Sequence, residues 1–295
     1  MEVAPPLTVA VCGATGRQGG AVARRLLQHG CRVRALTRKP RGRAAAALAA
    51  MGAEVVAADM ADRASLRTAF DRADGVYSVQ NGMVNGFDAE VIQGRAVAEA
   101  AKDSGVRHVV YGSAGTGEPG TGVPSWESKV LVEDHMRALS VPLTILRPVA
   151  FMELMTDASL YPAVGAWSVW PRVMGETRPV YWLAVEDLGA IAAIAFANRD
   201  AWLGRDITLA ADVQNLAECR ALYREVMGRP PRSLPMPLWL FDRFTRKDLT
   251  VMWRWLRVHP FEVDPAATRA VLPAASTVRE WLIAQRRASE AALAR

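Results

Sequence analysis

Residues 7–20 read LTVAVCGATGRQGG, an apolar run that breaks at Gly13 into a glycine-rich turn. Gly13, Gly16 and Gly19 have the spacing G-x-x-G-x-x-G, directly after a predicted strand and directly before a predicted helix. The chain turns sharply at the first glycine and approaches a pyrophosphate closely at the second. The third lets the helix pack tightly on the sheet. The helix N-terminus that follows offers unpaired N–H groups to phosphate oxygens. This setting predicts a dinucleotide-binding loop that includes Thr15, Arg17 and Gln18.

Working outward, the chain alternates strand and helix. A helix over Arg17–Gln28 ends at Gly30, and strands follow at Cys31–Thr37, at AEVVAA, at GVYSVQ and at HVVYGS, the last ending at Ser113. Asp62 is placed to cap a short helix, a long helix covers roughly Asp88 to Lys102, and another begins near Ser125 before the strand PLTILRP. Short connections and apolar strands imply a parallel sheet buried on both faces. The predicted fold class is α/β, a Rossmann-type doubly wound parallel sheet with a smaller α+β C-terminal lobe. The expected division is a dinucleotide-binding domain over residues 1–150 and a substrate or partner lobe over 151–295, interleaved with the Rossmann core. Residues 151–184, rich in tryptophan, proline and methionine, read as loops and short strands. Ligand sites in open α/β sheets lie beyond the carboxyl ends of the strands, so this segment is expected to line a pocket there. From Glu186 to Asn198 a helix is predicted, then the strand RDITLAA and a helix over Ala217–Met227.

Composition narrows the function classes. The 295 residues are 51% hydrophobic and 22% charged, enough for a sizeable core in a soluble enzyme. No apolar run approaches the roughly 18 residues needed to span a bilayer, and MEVAPPLTVAV lacks a basic leader, so neither a membrane span nor a signal peptide is expected. Cys12, Cys31 and Cys219 form no CxxC pair, which suits a reducing cytoplasm; Cys12 and Cys31 are expected on adjacent strands as core residues. The four histidines share no metal spacing, and no metal is expected. Net charge is +6, carried by 32 arginines and only four lysines, scattered and without interleaved aromatics. A solvated basic surface explains this better than nucleic-acid binding. Glu133-Asp134-His135 reads as charged helix surface, and Glu186 and Asp187 as capping residues.

VCGATGRQGG, LTRKP, SKVLVEDHMRALSVPLTILRPVAFME and VEDLG together resemble the NmrA-like family, atypical short-chain dehydrogenases with an NAD(P)-binding Rossmann domain. The resemblance runs from residue 7 to about 230 and is most specific in the first 150. Such relatives include NADP(H)-responsive regulators, quinone reductases and plant ether and isoflavone reductases, so the resemblance implies cofactor and fold more than reaction.

At the end of the second strand, where an acid would meet the ribose hydroxyls of NAD, the chain reads Thr37-Arg38-Lys39. Arginine binds a 2′-phosphate by charge-assisted bonds and stacks on adenine, so NADP(H) is expected over NAD(H), with Arg17 reaching the same phosphate. Asp59 is placed for the adenine amino group and Met60 for the ring, while Gln80 and Asn81 should border the nicotinamide ribose. Short-chain dehydrogenases use Tyr-x-x-x-Lys; here Lys129 stands where the lysine belongs, Ser125 replaces the tyrosine, and Ser113 has the usual serine position. Lys129 is the expected catalytic or ribose-anchoring group. Pro148 is expected beside the nicotinamide, and Trp126, Phe151 and Met152 around the substrate. Two functions follow: an NADPH-dependent reductase of an apolar, quinone-like or conjugated electrophile, or an NADP(H) redox sensor acting through a regulatory protein partner. A homodimer is compatible with either.

Overall fold

The computed structural model describes residues 6–156 and 163–293. Its first half runs β1 (Thr8–Val11), α1 (Arg17–Gln28), β2 (Arg32–Thr37), α2 (Arg43–Ala50), β3 (Glu54–Ala57), α3 (Arg63–Phe70), β4 (Gly75–Ser78), α4 (Gly82–Asn85), α5 (Phe87–Asp103), β5 (His108–Gly112), α6 (Pro124–Ala138) and β6 (Leu143–Pro148). There follow β7 (Ala150–Phe151), a 3-10 turn (Met152–Met155), α7 (Ala163–Met174), β8 (Pro179–Leu183), α8 (Val185–Ala197), α9 (Arg199–Trp202), β9 (Asp206–Leu209) and β10 (Asp212–Asn215). The chain closes with α10 (Leu216–Met227), α11 (Leu238–Thr245), α12 (Asp248–Val258), α13 (Pro265–Val271) and α14 (Val278–Leu293).

Seven strands form one sheet in the order β3-β2-β1-β4-β5-β6-β9, with β1 beside both β2 and β4 in parallel register. The bonds from Ile145 N to Arg205 O and from Val149 N to Leu209 O advance together along both strands, so β9 also runs parallel to β6. The strand order reverses beside β1, which puts the glycine loop at the topological switch point. Every residue of β4 and β5 is buried, as a sheet covered on both faces demands. Between the sheet and one helical layer, Leu66, Phe70, Val97, Val109, Tyr111, Val132, Met136 and Ile145 share one apolar core.

Two compact units divide the chain. Residues 1–120, 124–147 and 188–208 make the first, and residues 121–123, 148–187 and 209–295 the second. In the second unit a three-stranded sheet, β10-β8-β7, pairs β10 antiparallel and β7 parallel to β8, beside helices α7 and α10–α14. Helix α14 is tied to α10 by the Arg279–Glu225 ion pair and by Arg286 Nη1 donating to Val226 O at 3.1 Å.

Some sequence expectations change. The segment read as loops and short strands contains helix α7, with Pro171 inside it. Tryptophan packing overrides the breaker: Trp170 stacks on Trp253 with ring centroids 5.0 Å apart and meets Trp182 at 5.5 Å. Residues 157–162 of that segment lie outside the described residues. Cys12 follows the end of β1 and Cys31 precedes β2, so in parallel strands they sit at opposite ends. Burial pushes the Cys12 thiol up to about 12, a protonated and unreactive state. Glu186 and Asp187 lie within the first turn of α8 and do not precede it, and Asp187 Oδ2 accepts from Ser276 N at 2.8 Å.

Candidate functional site

Where β1 turns into α1, the backbone packs too closely to admit a side chain at Gly19. Gly13 has φ +62, a left-handed conformation, and Gly16 N donates to Gly13 O at 2.8 Å. A Cβ on Gly19 would lie 2.4 Å from Gly13 O and 2.7 Å from Cys12 O, so backbone packs directly on backbone. Helix α1 has no side-chain cap and no acidic residue in its first turn, which leaves its N-terminal donors and positive dipole facing the loop. Thr15 Oγ1 lies 3.4 Å from Thr37 Oγ1, joining the loop to the end of β2, where Thr37 also accepts from Lys39 N. Arg38 and Lys39 are exposed beside it, and Arg17 is half-buried. Gln18 turns inward, its Oε1 accepting from the buried Tyr77 hydroxyl at 3.4 Å.

Past β3, Asp59 Oδ1 accepts from Ala61 N at 2.9 Å, so this carboxylate shapes its own turn, while Asp62 caps α3. Met60 Sδ lies 3.8 Å from Gln80 Nε2, which also donates to Ser78 Oγ. Gln80 Oε1 is buried with no partner among the described residues. Asn81 caps α4, its Oδ1 accepting from Val84 N.

Lys129 lies on α6 and is 7% exposed. Its Nζ donates to Glu90 Oε1 at 2.9 Å and to the carbonyls of Gln80 and Gly112 at 3.4 Å each, at the carboxyl ends of β4 and β5. One turn earlier stands Ser125, with no hydroxyaryl group in its place. Tyr111, whose ring centroid is 5.6 Å from Nζ, is no substitute. Its hydroxyl is buried without a partner among the described residues, and burial, with Glu90 and Glu133 adding, pushes it well above the ordinary phenol range. Ser113 Oγ donates to Glu133 Oε1 at 2.5 Å, which commits the serine to a structural bond. Trp126 is buried beneath Gly115, where any added Cβ would collide with the indole.

Glu133 is not surface: it is fully buried and accepts from Arg147 Nε at 2.9 Å and from Arg137 Nη2 at 3.2 Å. Arg147 in turn reaches Asp206 at 3.2 Å. His135 pairs with Glu99. The remaining expected site residues belong to the second unit: Pro148 ends β6, Phe151 pairs with Leu183 across β7 and β8, and Met152 is buried in the 3-10 turn. Among the described residues no group of His, Cys, Asp and Glu is arranged to hold a metal, and no helix is long and apolar enough to cross a membrane.

The pattern of the NmrA-like family matches residues 6–282. The chain belongs to this family. The NmrA-like family domain-containing oxidoreductase FrzB of Cladobotryum sp is 30% identical, with 88% of this chain and 89% of that protein covered. Among solved structures, NmrA, a negative transcriptional regulator in complex with NAD, superposes with TM-score 0.78 at 18% identity, covering 98% of each chain. A Citrobacter sp. triphenylmethane reductase complexed with NADP(H) gives 0.75 at 18% identity, with 95% of this chain and 99% of that one covered. These two structures share the fold.

The site residue that motif reading misses in this NmrA-like chain is Glu90. It is fully buried and pairs with Lys129 across 39 positions of sequence. A signal was present: Glu90, Gly94, Val97 and Ala101 repeat at helical spacing on the buried face of α5, and Glu90 is the one charge among them.

Proposed function

We propose that this NmrA-like protein binds a nicotinamide dinucleotide, NADPH in preference to NADH, and reduces a small apolar acceptor of the quinone or conjugated-enone class in the cytoplasm. The residues fit such a group. Gly13, Gly16 and Gly19 let the loop backbone close directly onto α1, where a Cβ at position 19 would collide with Gly13 O, and the uncapped α1 supplies N–H donors for the pyrophosphate. Thr15, Thr37, Arg38 and Lys39 converge where a 2′-phosphate is recognised, with two exposed cations and no acid. The orphaned Gln80 Oε1 is an acceptor near the ends of the central strands. Bound there, the reduced nicotinamide is the two-electron donor.

One observation carries the choice of acceptor: Lys129 holds a buried cation at the carboxyl ends of β4 and β5, one turn from a serine where a tyrosine would relay protons. The ammonium orients ribose hydroxyls and stabilises negative charge developing on an acceptor oxygen. Without a phenol, proton delivery falls to water, which suits acceptors whose reduced anion is already stabilised by conjugation. The NADP(H) complex of triphenylmethane reductase and an Escherichia coli NADPH-dependent quinone oxidoreductase with this fold, at TM-scores of 0.75 and 0.68, support the reading. Its test is a transient assay: load the protein with NADPH, add a panel of quinones and small enones, and follow the nicotinamide absorbance. Decay faster than in the protein-free control is expected. Tight binding without decay across the panel would refute reduction of those acceptors and shift the reading to NADP(H) sensing through a partner; one neighbour with this fold is a negative transcriptional regulator.

A further inference from the structure

We propose that Glu90 is a positioning residue for Lys129: its carboxylate fixes the ammonium at the ends of β4 and β5 and keeps it a three-proton donor toward a bound dinucleotide. The inference rests on the reading of Lys129 as a cofactor contact.

Three acceptors surround Lys129 Nζ, namely Glu90 Oε1 and the carbonyls of Gln80 and Gly112. An ammonium has a proton for each; a neutral amine has two and would turn its lone pair toward the third oxygen. The other carboxylate oxygen, Glu90 Oε2, accepts from Ser128 Oγ at 2.5 Å, so both oxygens act as acceptors, as in an ionised carboxylate. The surroundings are built to fit that group. At Gly82, the first residue of α4, a Cβ would lie 2.1 Å from Glu90 Oε2, so a side chain there would displace the carboxylate from its present position. One turn further along α5, Gly94 leaves space for Val132, where a Cβ would come within 2.5 Å of Cγ2, and this brings α5 close to α6.

The bonds are unequal. Glu90 makes the charge-assisted one at 2.9 Å, and the two carbonyl bonds are long at 3.4 Å. Ribose hydroxyls replacing those carbonyls would leave the ion pair intact, so the cation stays anchored while two protons serve the ligand. Of the other ionisable groups, Tyr111 on β5 lies beside Nζ, Tyr77 on β4, Glu133 on α6 itself and Arg147 on β6 act in turn on Tyr111, and α4 contributes no charge. Glu90 is therefore the direct counter-ion of Lys129.

The experiment is NADPH titration by nicotinamide fluorescence from pH 6 to pH 9, each variant expressed relative to wild type, with thermal melts as the folding check. Lys129→Ala should weaken binding about tenfold or more at every pH. Glu90→Gln keeps the shape and an acceptor but removes the charge, and a buried ammonium without its counter-ion sheds its proton as pH rises. It should bind within about twofold of wild type at pH 6 and about tenfold more weakly at pH 9. Glu90→Asp should restore a flat profile. If Glu90→Gln melts before it can be titrated, Ser128→Ala decides: loosening the same carboxylate should give a smaller loss that also grows with pH. Glu90→Gln tracking wild type, or losing affinity equally at all pH, overturns the positioning role while Lys129 remains a cofactor contact. Wild-type binding by Lys129→Ala overturns the cofactor contact itself, and the positioning role with it.

Discussion

Replacing Gly19 by alanine places a methyl carbon 2.4 Å from Gly13 O, 2.6 Å from Gly13 C and 2.7 Å from Cys12 O. An uncompressed contact is about 3.5 Å, so the helix and loop must separate by about 1 Å. All three neighbours are backbone atoms, and no rotamer change relieves the overlap. Overpacking of this kind costs roughly 1–3 kcal/mol of stability. It also moves the α1 N–H donors. A hydrogen bond of about 2.9 Å stretched by 1 Å is no longer one, and each bond to a charged group contributes about 1.5–3 kcal/mol. Losing a single phosphate contact therefore lowers NADPH affinity by roughly 10- to 100-fold. Gly30→Ala is the matched control. Gly30 has φ +78 with nothing within 4 Å of an added Cβ, so only backbone strain, about 1–2 kcal/mol, is introduced. Fluorescence titration and thermal melts of both variants separate the effects: Gly19→Ala should lose affinity and stability, Gly30→Ala stability alone. Wild-type affinity in Gly19→Ala would refute the steric argument and the phosphate role of the loop together.

Stability should also depend on His108. Thr144 Oγ1 gives its proton to Trp202 O at 2.6 Å, so it accepts from His108 Nε2 at 2.8 Å, and Nδ1 is buried with no partner among the described residues to accept a second proton, so the imidazole is neutral. Burial, with Arg199 adding, lowers the His108 value from 6.5 to about 4. The unfolded chain then binds more protons between those values, so stability is complete above about pH 6.5 and falls by on the order of 3 kcal/mol as pH drops toward 4. Urea titrations at pH 7 and 4.5 with equal midpoints would exclude this. Arg147→Met strands the buried Glu133 and should cost about 3–5 kcal/mol, most of it recovered when Glu133→Leu is added; equal single and double losses would count against the ion-pair account. Arg38→Ala with Lys39→Ala should reduce NADPH affinity roughly tenfold or more and leave NADH affinity unchanged. An equal loss for both cofactors would remove the 2′-phosphate assignment.

Much of the first unit is legible in the chain itself. Helix α1 spans Arg17–Gln28 as its glycines and amphipathic spacing predict, and Asp62 caps α3. Less legible was helix α7, because Gly and Pro are breakers by local statistics and Trp is only a middling helix former; the segment is helical where Trp182 and Trp253 give the aromatic face something to cover. Strand β10 was missed for a similar reason: DVQN carries little strand propensity and is held by its ladder with β8.

At the site the same division applies. Sequence by itself determined the glycine loop and the basic end of β2, since turn chemistry is a property of residues within a few positions of one another, while Lys129 with its missing tyrosine was legible through the family resemblance. Tertiary structure alone decided which charges meet. It brought Glu90 to Lys129 across 39 positions and Glu133 to Arg147 across 14, turning apparent surface charges into buried pairs. Burial is set by how α5 and α6 pack on the sheet, and a local pattern does not record what will cover it.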